Sequence, residues 1–278
     1  MTISPAQRAS YANDHHTKIP FATAPRHLAG PGDPRHVTHA LLAGGWSLTS
    51  APGDPRTVLT GTDQAHQLVL DPFSNDSCWR LHSADWSWDA SFDRMVPVEI
   101  IAGVTDRLVD GPRRGDIGPW ERMAQAGWAV ERRPDKTGEA LSPGPYPVRA
   151  ELRPISEEEP DRCVWRIEAL PEYGGPRIWH IWISGPVPEH LLSGLVEQLV
   201  SPAPVLRRMF DLTHYGARQI PSPLSPEQAV EAHFDRVDAT QQRARARRRT
   251  RLKTALPAPA TPPAAPAPAS PAPAAARR

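Results

Sequence analysis

Long apolar runs and cysteine-rich motifs are missing from this chain of 278 residues. No stretch approaches the roughly 20 apolar residues of a membrane-spanning helix, and residues 1–5 lack the apolar core of a secretory signal peptide. We therefore expect a cytoplasmic protein that does not contact a membrane. The two cysteines, Cys78 and Cys163, are expected to be small apolar strand residues rather than disulfide partners.

Motifs for catalysis and cofactor binding are also missing. No Gly-x-Ser-x-Gly occurs, and Gly30-Pro31-Gly32 has neither the lysine nor the preceding strand of a phosphate-binding loop. His36 and His39 are spaced for chelation, but no second cluster stands at a diagnostic distance, so we expect a solvated helix face. We predict no metal, no cofactor and no catalytic residue. A deep polar pocket with converging titratable groups would favour an enzyme instead.

Acidic residues are absent after residue 242, which divides the chain electrostatically. Residues 1–242 hold 23 basic and all 31 acidic residues, a net charge of −8, whereas residues 243–278 carry +9. Seven of the basic residues fall within eleven positions and are Arg243, Arg245, Arg247, Arg248, Arg249, Arg251 and Lys253. They are candidates for neutralising phosphates, but no aromatic residue lies among them to stack on single-stranded bases. The alternatives are a solvated helix end or one docked on the acidic body.

An internal duplication organises the middle of the chain, because residues 33–110 recur in altered form at residues 115–201. Five blocks match in the same order, with offsets that grow from 82 to 91 residues. The matched positions include Trp46 with Trp128, Trp79 with Trp165, Trp88 with Trp179, and Pro97 with Pro188. Five ordered blocks are a strong indication of tandem repeats.

Hydrophobic periodicity gives each repeat the order helix, five strands, helix. Trp79 and Leu81 alternate with Arg80 and His82, which is typical of a strand with one buried face. Short connections between strands predict antiparallel pairing. The predicted class is α+β, with two tandem repeats that each comprise a helix, an antiparallel five-strand sheet and a helix. The predicted segments are a disordered N-terminus (1–25), repeats (26–112 and 113–203), an extended linker (204–223), a basic helix (224–254) and a disordered Pro/Ala tail (255–278).

Three tryptophans have no counterpart in the other repeat and are candidates for a partner surface, namely Trp86, Trp120 and Trp182. Tryptophan is enriched at binding hot spots. Trp182 follows Trp179 by three residues and so points to the opposite face of its strand, where its counterpart is Ser91. The alternative for Trp182 is burial under the other repeat or under the segment after Val200.

The chain resembles the SPDY domain, a family of unknown function described from Streptomyces and usually present in two copies. The residues that carry the resemblance are the segment 34–42, Gly45-Trp46, the segment 70–73 and the tryptophan motifs, with family-like features at 209–211 and 221–226. The resemblance spans roughly residues 26–240. It implies a bacterial, actinobacterial origin and no established activity.

Two functions follow from these observations. The first is a non-enzymatic binding or scaffold protein that recognises a macromolecular partner, here an unidentified protein. The alternative is a nucleic-acid-associated accessory protein that contacts phosphates through its basic C-terminal helix.

Overall fold

A computed structural model of the chain describes residues 3–156 and 158–255. The helices are α1 (Pro5–His15), α2 (Arg35–Ala43), α3 (Val98–Asp110), α4 (Pro119–Gln125), α5 (Glu189–Leu199) and α6 (Pro226–Ala255). The strands are β1 (Pro20–Ala24), β2 (Ser47–Leu48), β3 (Thr57–Thr60), β4 (His66–Leu70), β5 (Trp79–Ser83), β6 (Asp89–Phe92), β7 (Ala129–Arg132), β8 (Gly138–Leu141), β9 (Val148–Ser156), β10 (Glu159–Ala169), β11 (Trp179–Ser184), β12 (Val205–Arg208) and β13 (Arg218–Pro221). The predicted mixed α+β class and antiparallel pairing are confirmed.

Ten strands form one continuous antiparallel sheet in the order β2-β3-β4-β5-β6-β11-β10-β9-β8-β7. Five strands from each half of the chain meet at β6 and β11, where Ser91 pairs with Trp182 and Phe92 with Ile181. The sequence predicts a separate five-stranded sheet for each half. The observed pairing of β6 with β11 differs from that prediction. Joining β6 to β11 removes two open edges whose backbone groups would otherwise lack partners.

The alternation of apolar and polar side chains along the strands determines which face of the sheet is buried. Trp79 and Leu81 are buried in β5 while Arg80 between them is exposed, and Trp165 and Ile167 are buried in β10. These side chains form one apolar core with residues of α2, α3, α4 and α5. The helices therefore cover one face of the ten-stranded sheet, as the period of two requires.

Two glycines allow α3 and α5 to pack closely over the β6–β11 junction. A Cβ atom added to Gly103 would collide with the carbonyl oxygen of Gly194, and a Cβ on Gly194 would collide with that of Gly103. Arg107 reinforces the contact, because its guanidinium binds Glu197 at 2.8 Å and is itself buried. The two halves are thus fastened through helices as well as through the sheet.

The segments 1–25 and 204–223, expected to be irregular, contain regular structure within the described residues. Helix α1 begins with a capping box, in which the Ser4 hydroxyl accepts from the Gln7 N–H and the Gln7 side chain accepts from the Ser4 N–H. Strand β1 lies between β12 and β13 in a second, three-stranded antiparallel sheet. These partners are separated by most of the chain, so local patterns do not disclose the pairing.

Helix α6 spans the stretch where the sequence predicts a basic helix, and it packs against α1, α2 and α3. Ser225 caps its first turn by accepting from the Gln228 N–H, and Val237 is buried in the core. The predicted Pro/Ala tail lies outside the described residues beyond position 255. No helix in the described ranges is both long enough and apolar enough to cross a membrane.

Candidate functional site

The three tryptophans without a counterpart occupy different environments. Trp120 is only 7% exposed and its ring lies 4.6 Å from that of Trp165, so it belongs to the core and is not a surface candidate. Helix α4 lays it against β10, a contact that the sequence pattern does not indicate. Trp86 is 60% exposed in the turn after β5, where it stacks on His82 at 3.7 Å. Trp182 is half-buried on the sheet face opposite the helices.

Trp182 lies at the middle of a row of cross-strand neighbours that we name the Trp182 row. The row runs Arg80–Ser91–Trp182–Arg166 across β5, β6, β11 and β10, and Glu151 of β9 continues it. Each of these side chains is exposed or half-buried. Among the described residues, none accepts a hydrogen bond from the Trp182 indole N–H. The row therefore presents an aromatic ring with an available donor.

Charge is distributed unevenly along the Trp182 row. Arg166 donates to Glu168 at 2.7 Å, and Arg177 also approaches this carboxylate, at 3.3 Å. Arg80, on the other side of Trp182, is exposed and has no carboxylate partner within the described part of the chain. The row thus offers one uncommitted guanidinium, on β5, two strands from the indole.

Helix α6 directs some of its arginines toward the body of the protein. Arg243 pairs with Asp110 at the end of α3, with its Nε 3.1 Å from the carboxylate. Arg247 donates to the backbone carbonyl of Val109. Arg247 therefore satisfies a carbonyl at the C-terminal end of α3, where carbonyl groups lack helical partners, and Arg243 binds the side-chain carboxylate of the last residue of α3. Arg243 and Arg247 are therefore docked on the acidic body of the protein, which is one of the alternatives that the sequence left open.

Three other arginines of α6 point away from the body. Arg245, Arg248 and Arg249 are exposed and have no carboxylate partner among the described residues. Their spacing of three and four residues places them on one side of the helix. The side chains of Arg251 and Lys253, the remaining candidates of this segment, lie outside the described residues.

A cavity of about 380 Å³ lies between α1, α2, α3, β12 and α6. Charged and hydrogen-bonding side chains converge on it from segments that are distant in sequence. They include Tyr11, His15, Lys18, Arg26, Asp33, His36, Glu99, Asp106, Arg207, Arg208, Asp211, His233 and Arg236. Sequence analysis does not find this site, because α1 and β12 fall in segments expected to be irregular.

The four carboxylates of the cavity wall are each bound to an arginine. The pairs are Asp33 with Arg35 (2.7 Å), Glu99 with Arg207 (2.7 Å), Asp106 with Arg236 (2.9 Å) and Asp211 with Arg208 (3.0 Å). Arg207 is saturated, because it also donates to three backbone carbonyls. These ion pairs hold β12, α6 and the entry to α2 around the cavity.

The pKa values of these carboxyl groups follow from burial and their partners. Burial acts to raise the pKa of Glu99, but the charge and hydrogen bonds of Arg207 outweigh it and lower the pKa to about 2. The pKa of Asp33 is also lowered to about 2, because the hydrogen bonds from Arg35 outweigh the effect of burial. For Asp106, burial is the stronger influence and raises the pKa in spite of Arg236. Asp33 and Glu99 are therefore ionised at neutral pH.

Histidines form an aromatic cluster at one end of the cavity. The Tyr11 ring stacks on His15 and on His233, with ring centroids 3.9 Å apart in each case. His39 Nδ1 lies 3.1 Å from His233 Nε2, which requires one nitrogen to donate and the other to accept. Burial lowers the pKa of His36 to about 3, of His39 to about 4 and of His233 to about 2. These imidazoles are neutral at pH 7.

His36 and His39 differ from the sequence expectation of a solvated helix face. His39 is 4% exposed and His36 is half-buried, because α1 and α6 cover this side of α2. Within the described ranges, no group of three or more His, Cys, Asp or Glu residues is arranged to hold a metal. Converging titratable groups of this kind are the feature that would favour an enzyme. Here the carboxylates are engaged in ion pairs and the histidines are neutral, so the cavity offers hydrogen-bonding groups for a ligand.

Comparison with protein families gives one match. Residues 147–205 match the SPDY domain, a domain of unknown function (DUF317). The matched segment extends from the start of β9 through α5 to the first residue of β12. Neither the curated proteins nor the solved structures include a match.

Proposed function

We propose that this chain is a cytoplasmic, non-enzymatic binding protein that recognises a protein partner through the Trp182 row. The observation that carries the proposal is the position of Trp182. It is a large aromatic residue at the centre of the sheet face that the helices leave uncovered, with Arg166 on the neighbouring strand β10 and Arg80 two strands away on β5. The core requires no tryptophan there, since its indole lies opposite the helix-facing side.

Physical chemistry indicates what kind of partner suits this surface. Tryptophan and arginine supply most hot-spot energy at protein interfaces, and a central aromatic residue gains most when it is fully desolvated. The Trp182 N–H needs an acceptor, and the Arg80 guanidinium needs a carboxylate. A partner that presents an acidic side chain beside an apolar one satisfies both groups.

The test is a pull-down from bacterial lysate with immobilised full-length chain, with and without nuclease. Trp182→Ala is compared with the control Phe73→Ala, which removes an exposed aromatic side chain from the β4–β5 connection, outside the Trp182 row. We expect a partner retained by the parent chain and by Phe73→Ala, insensitive to nuclease, and lost with Trp182→Ala. Thermal melting of each variant confirms that the fold is intact. Capture that Trp182→Ala leaves unchanged would refute the proposal.

A second function, nucleic-acid contact through α6, is favoured by one specific observation. Arg245, Arg248 and Arg249 lie on one side of the helix, exposed and directed away from the acidic body. Three exposed guanidinium groups on one side of a helix can neutralise phosphates without reading bases. Arg243 and Arg247 are engaged with α3, so we assign the contact to the outward three.

This alternative is tested by titrating mixed-sequence duplex DNA at low salt. The triple variant Arg245→Gln, Arg248→Gln, Arg249→Gln is compared with Arg113→Gln, an exposed arginine outside α6. We expect weak binding by the parent chain with a log–log salt slope of about −0.9 per phosphate neutralised. The triple variant should lose DNA binding, and Arg113→Gln should keep it. Absence of binding by the parent chain leaves the protein-partner function alone.

We also propose that residues 35–110 and 117–201 are equivalent folds related by an approximate two-fold axis. Two features at the junction support this. Ser91 pairs with Trp182 in the sheet, and Gly103 opposes Gly194 between the helices, and both pairs are separated by 91 residues. An experimental structure should superpose the two ranges with Trp46 on Trp128. Placement of these tryptophans in different elements would contradict the proposal.

A further inference from the structure

We propose that the cavity between α1, β12 and α6 binds a small organic anion, through a carboxylate or phosphate group held by Arg26, with exposed Lys18 at the other end of β1 attracting the anion to the cavity. Its volume of about 380 Å³ falls within the range of small-molecule pockets. This site is separate from the Trp182 row, because it lies on the helix side of the sheet.

The cavity wall contains more cationic side chains than carboxylates that can pair with them. Five cationic side chains line the cavity, and three of them, Arg207, Arg208 and Arg236, are bound to carboxylates. The other two, Lys18 and Arg26, have no carboxylate within ion-pair distance among the described residues. Because every lining carboxylate is already engaged, an anion from solution is the remaining partner for these two cations.

Arg26 is the more informative of the two. It is only 9% exposed, in a short turn at Arg26–Leu28 that follows β1. Its guanidinium donates to the carbonyls of Gln198 (3.1 Å) and Ala203 (3.3 Å) and to the Gln198 side chain, while its Nε has no acceptor. Burial lowers the pKa of Arg26 against the attraction of Glu99, which lies beyond ion-pair distance, and this burial is costly for a guanidinium. A bound anion would offset that cost.

Neutral groups complete the site. The Tyr11 hydroxyl and both ring nitrogens of His36 line the cavity and form no hydrogen bond with any described residue. The stacking of His15 and His233 fixes the Tyr11 ring in position. One hydroxyl and one neutral imidazole can bind the uncharged part of a ligand, such as its hydroxyl or amide groups. The site therefore suits an organic anion rather than a bare ion alone.

The experiment is isothermal titration of the full-length chain with succinate and with inorganic phosphate, at constant ionic strength set by sodium chloride. Lys18→Gln, Tyr11→Phe and Arg26→Gln are compared with Lys136→Gln, an exposed lysine in the β7–β8 turn. Loss of a charge-assisted hydrogen bond weakens binding by about tenfold or more. We expect that loss for Arg26→Gln with at least one anion, a smaller loss for Lys18→Gln and for Tyr11→Phe, and no change for Lys136→Gln.

The two anions separate the sources of the charged group. Preference for succinate assigns a carboxylate ligand, and preference for phosphate assigns a phosphate ester. Because Arg26 also ties the turn to α5, Arg26→Gln can fail to fold, and Lys18→Gln and Tyr11→Phe then decide the matter. Absence of binding of both anions by the parent chain overturns the proposal. So does binding that neither Lys18→Gln nor Tyr11→Phe weakens.

Discussion

Acidification should destabilise this protein well before its carboxylates titrate, because His39 and His233 are buried in the neutral form. The two rings share a hydrogen bond of 3.1 Å and are 4% and 7% exposed. The charged groups around them are mainly cationic, since Arg8 and Arg35 face His39 and Arg236 faces His233, with Asp33 the one carboxylate near both. Neutral His36 also faces His233. Protonation in the folded state is therefore strongly opposed.

The sign and size of the effect follow from the pKa values. Burial lowers the pKa of His39 to about 4 and of His233 to about 2, whereas an unfolded histidine titrates near 6.5. As the pH falls below about 6.5, the unfolded chain binds protons that the folded chain refuses, so stability present above this pH is progressively lost. At pH 5 the loss is about 2 kcal/mol for each histidine, or about 4 kcal/mol for the pair.

Asp33 and Glu99 do not obscure this window, and the raised pKa of Asp106 acts in the opposite direction, because the folded chain binds that proton more readily than the unfolded chain. Asp33 and Glu99 have folded pKa values of about 2, and their contribution is present above the unfolded values near 4. It is lost only when the pH falls below that range. Between pH 7.5 and 5, the pH dependence is therefore dominated by histidine.

Urea unfolding at pH 7.5 and at pH 5 measures the difference in the free energy of unfolding directly. The variant His39→Gln shows how much of that difference comes from His39. Any pH-independent cost of the substitution cancels in the difference, so His39→Gln should reduce the loss by about 2 kcal/mol. His16→Gln, at an exposed position one residue after α1, should leave it unchanged. An equal loss in the parent chain and in His39→Gln would show that the buried pair is not responsible.

Three further outcomes are expected. Trp165→Ala should lower the free energy of unfolding by about 3–5 kcal/mol as a buried aromatic truncation, whereas Trp86→Ala, at an exposed indole, should change it by less than about 0.5 kcal/mol in chemical denaturation. Gly103→Val should separate α3 from α5, because its side chain would enter the space of the Gly194 carbonyl, and its thermal midpoint should fall by several degrees. Ellman titration of the unfolded, unreduced protein should find two thiols, and a value of zero would indicate a disulfide.

Local patterns in the sequence account for most helices and strands but not for how they assemble. The alternation of Trp79 and Leu81 predicts β5, and the prolines at 97 and 188 predict the starts of α3 and α5. The joining of β6 to β11 and of β1 to β12 could not be foreseen, because each pairing connects distant segments of the chain. Their specificity arises from tertiary packing.

The environments of the candidate site residues follow even less from local sequence patterns. His36 and His39 attract notice through their spacing, yet their environment is set by α6, which lies almost two hundred residues further along. Arg26 carries no motif, and its lack of a counter-ion becomes visible only when β12 and α5 surround it. Trp182 is the exception, since its position on the polar face follows from the period of two.

The β6–β11 junction determines how this chain can be divided. A fragment that ended before α4 would expose the edge of β6 together with the surface of α3 around Gly103. A second copy of that fragment would present the same edge and surface, and would close both. Such a fragment is therefore expected to dimerise rather than to remain a monomer. In the intact chain the partner is covalently attached, so both halves should unfold in one cooperative transition at any protein concentration.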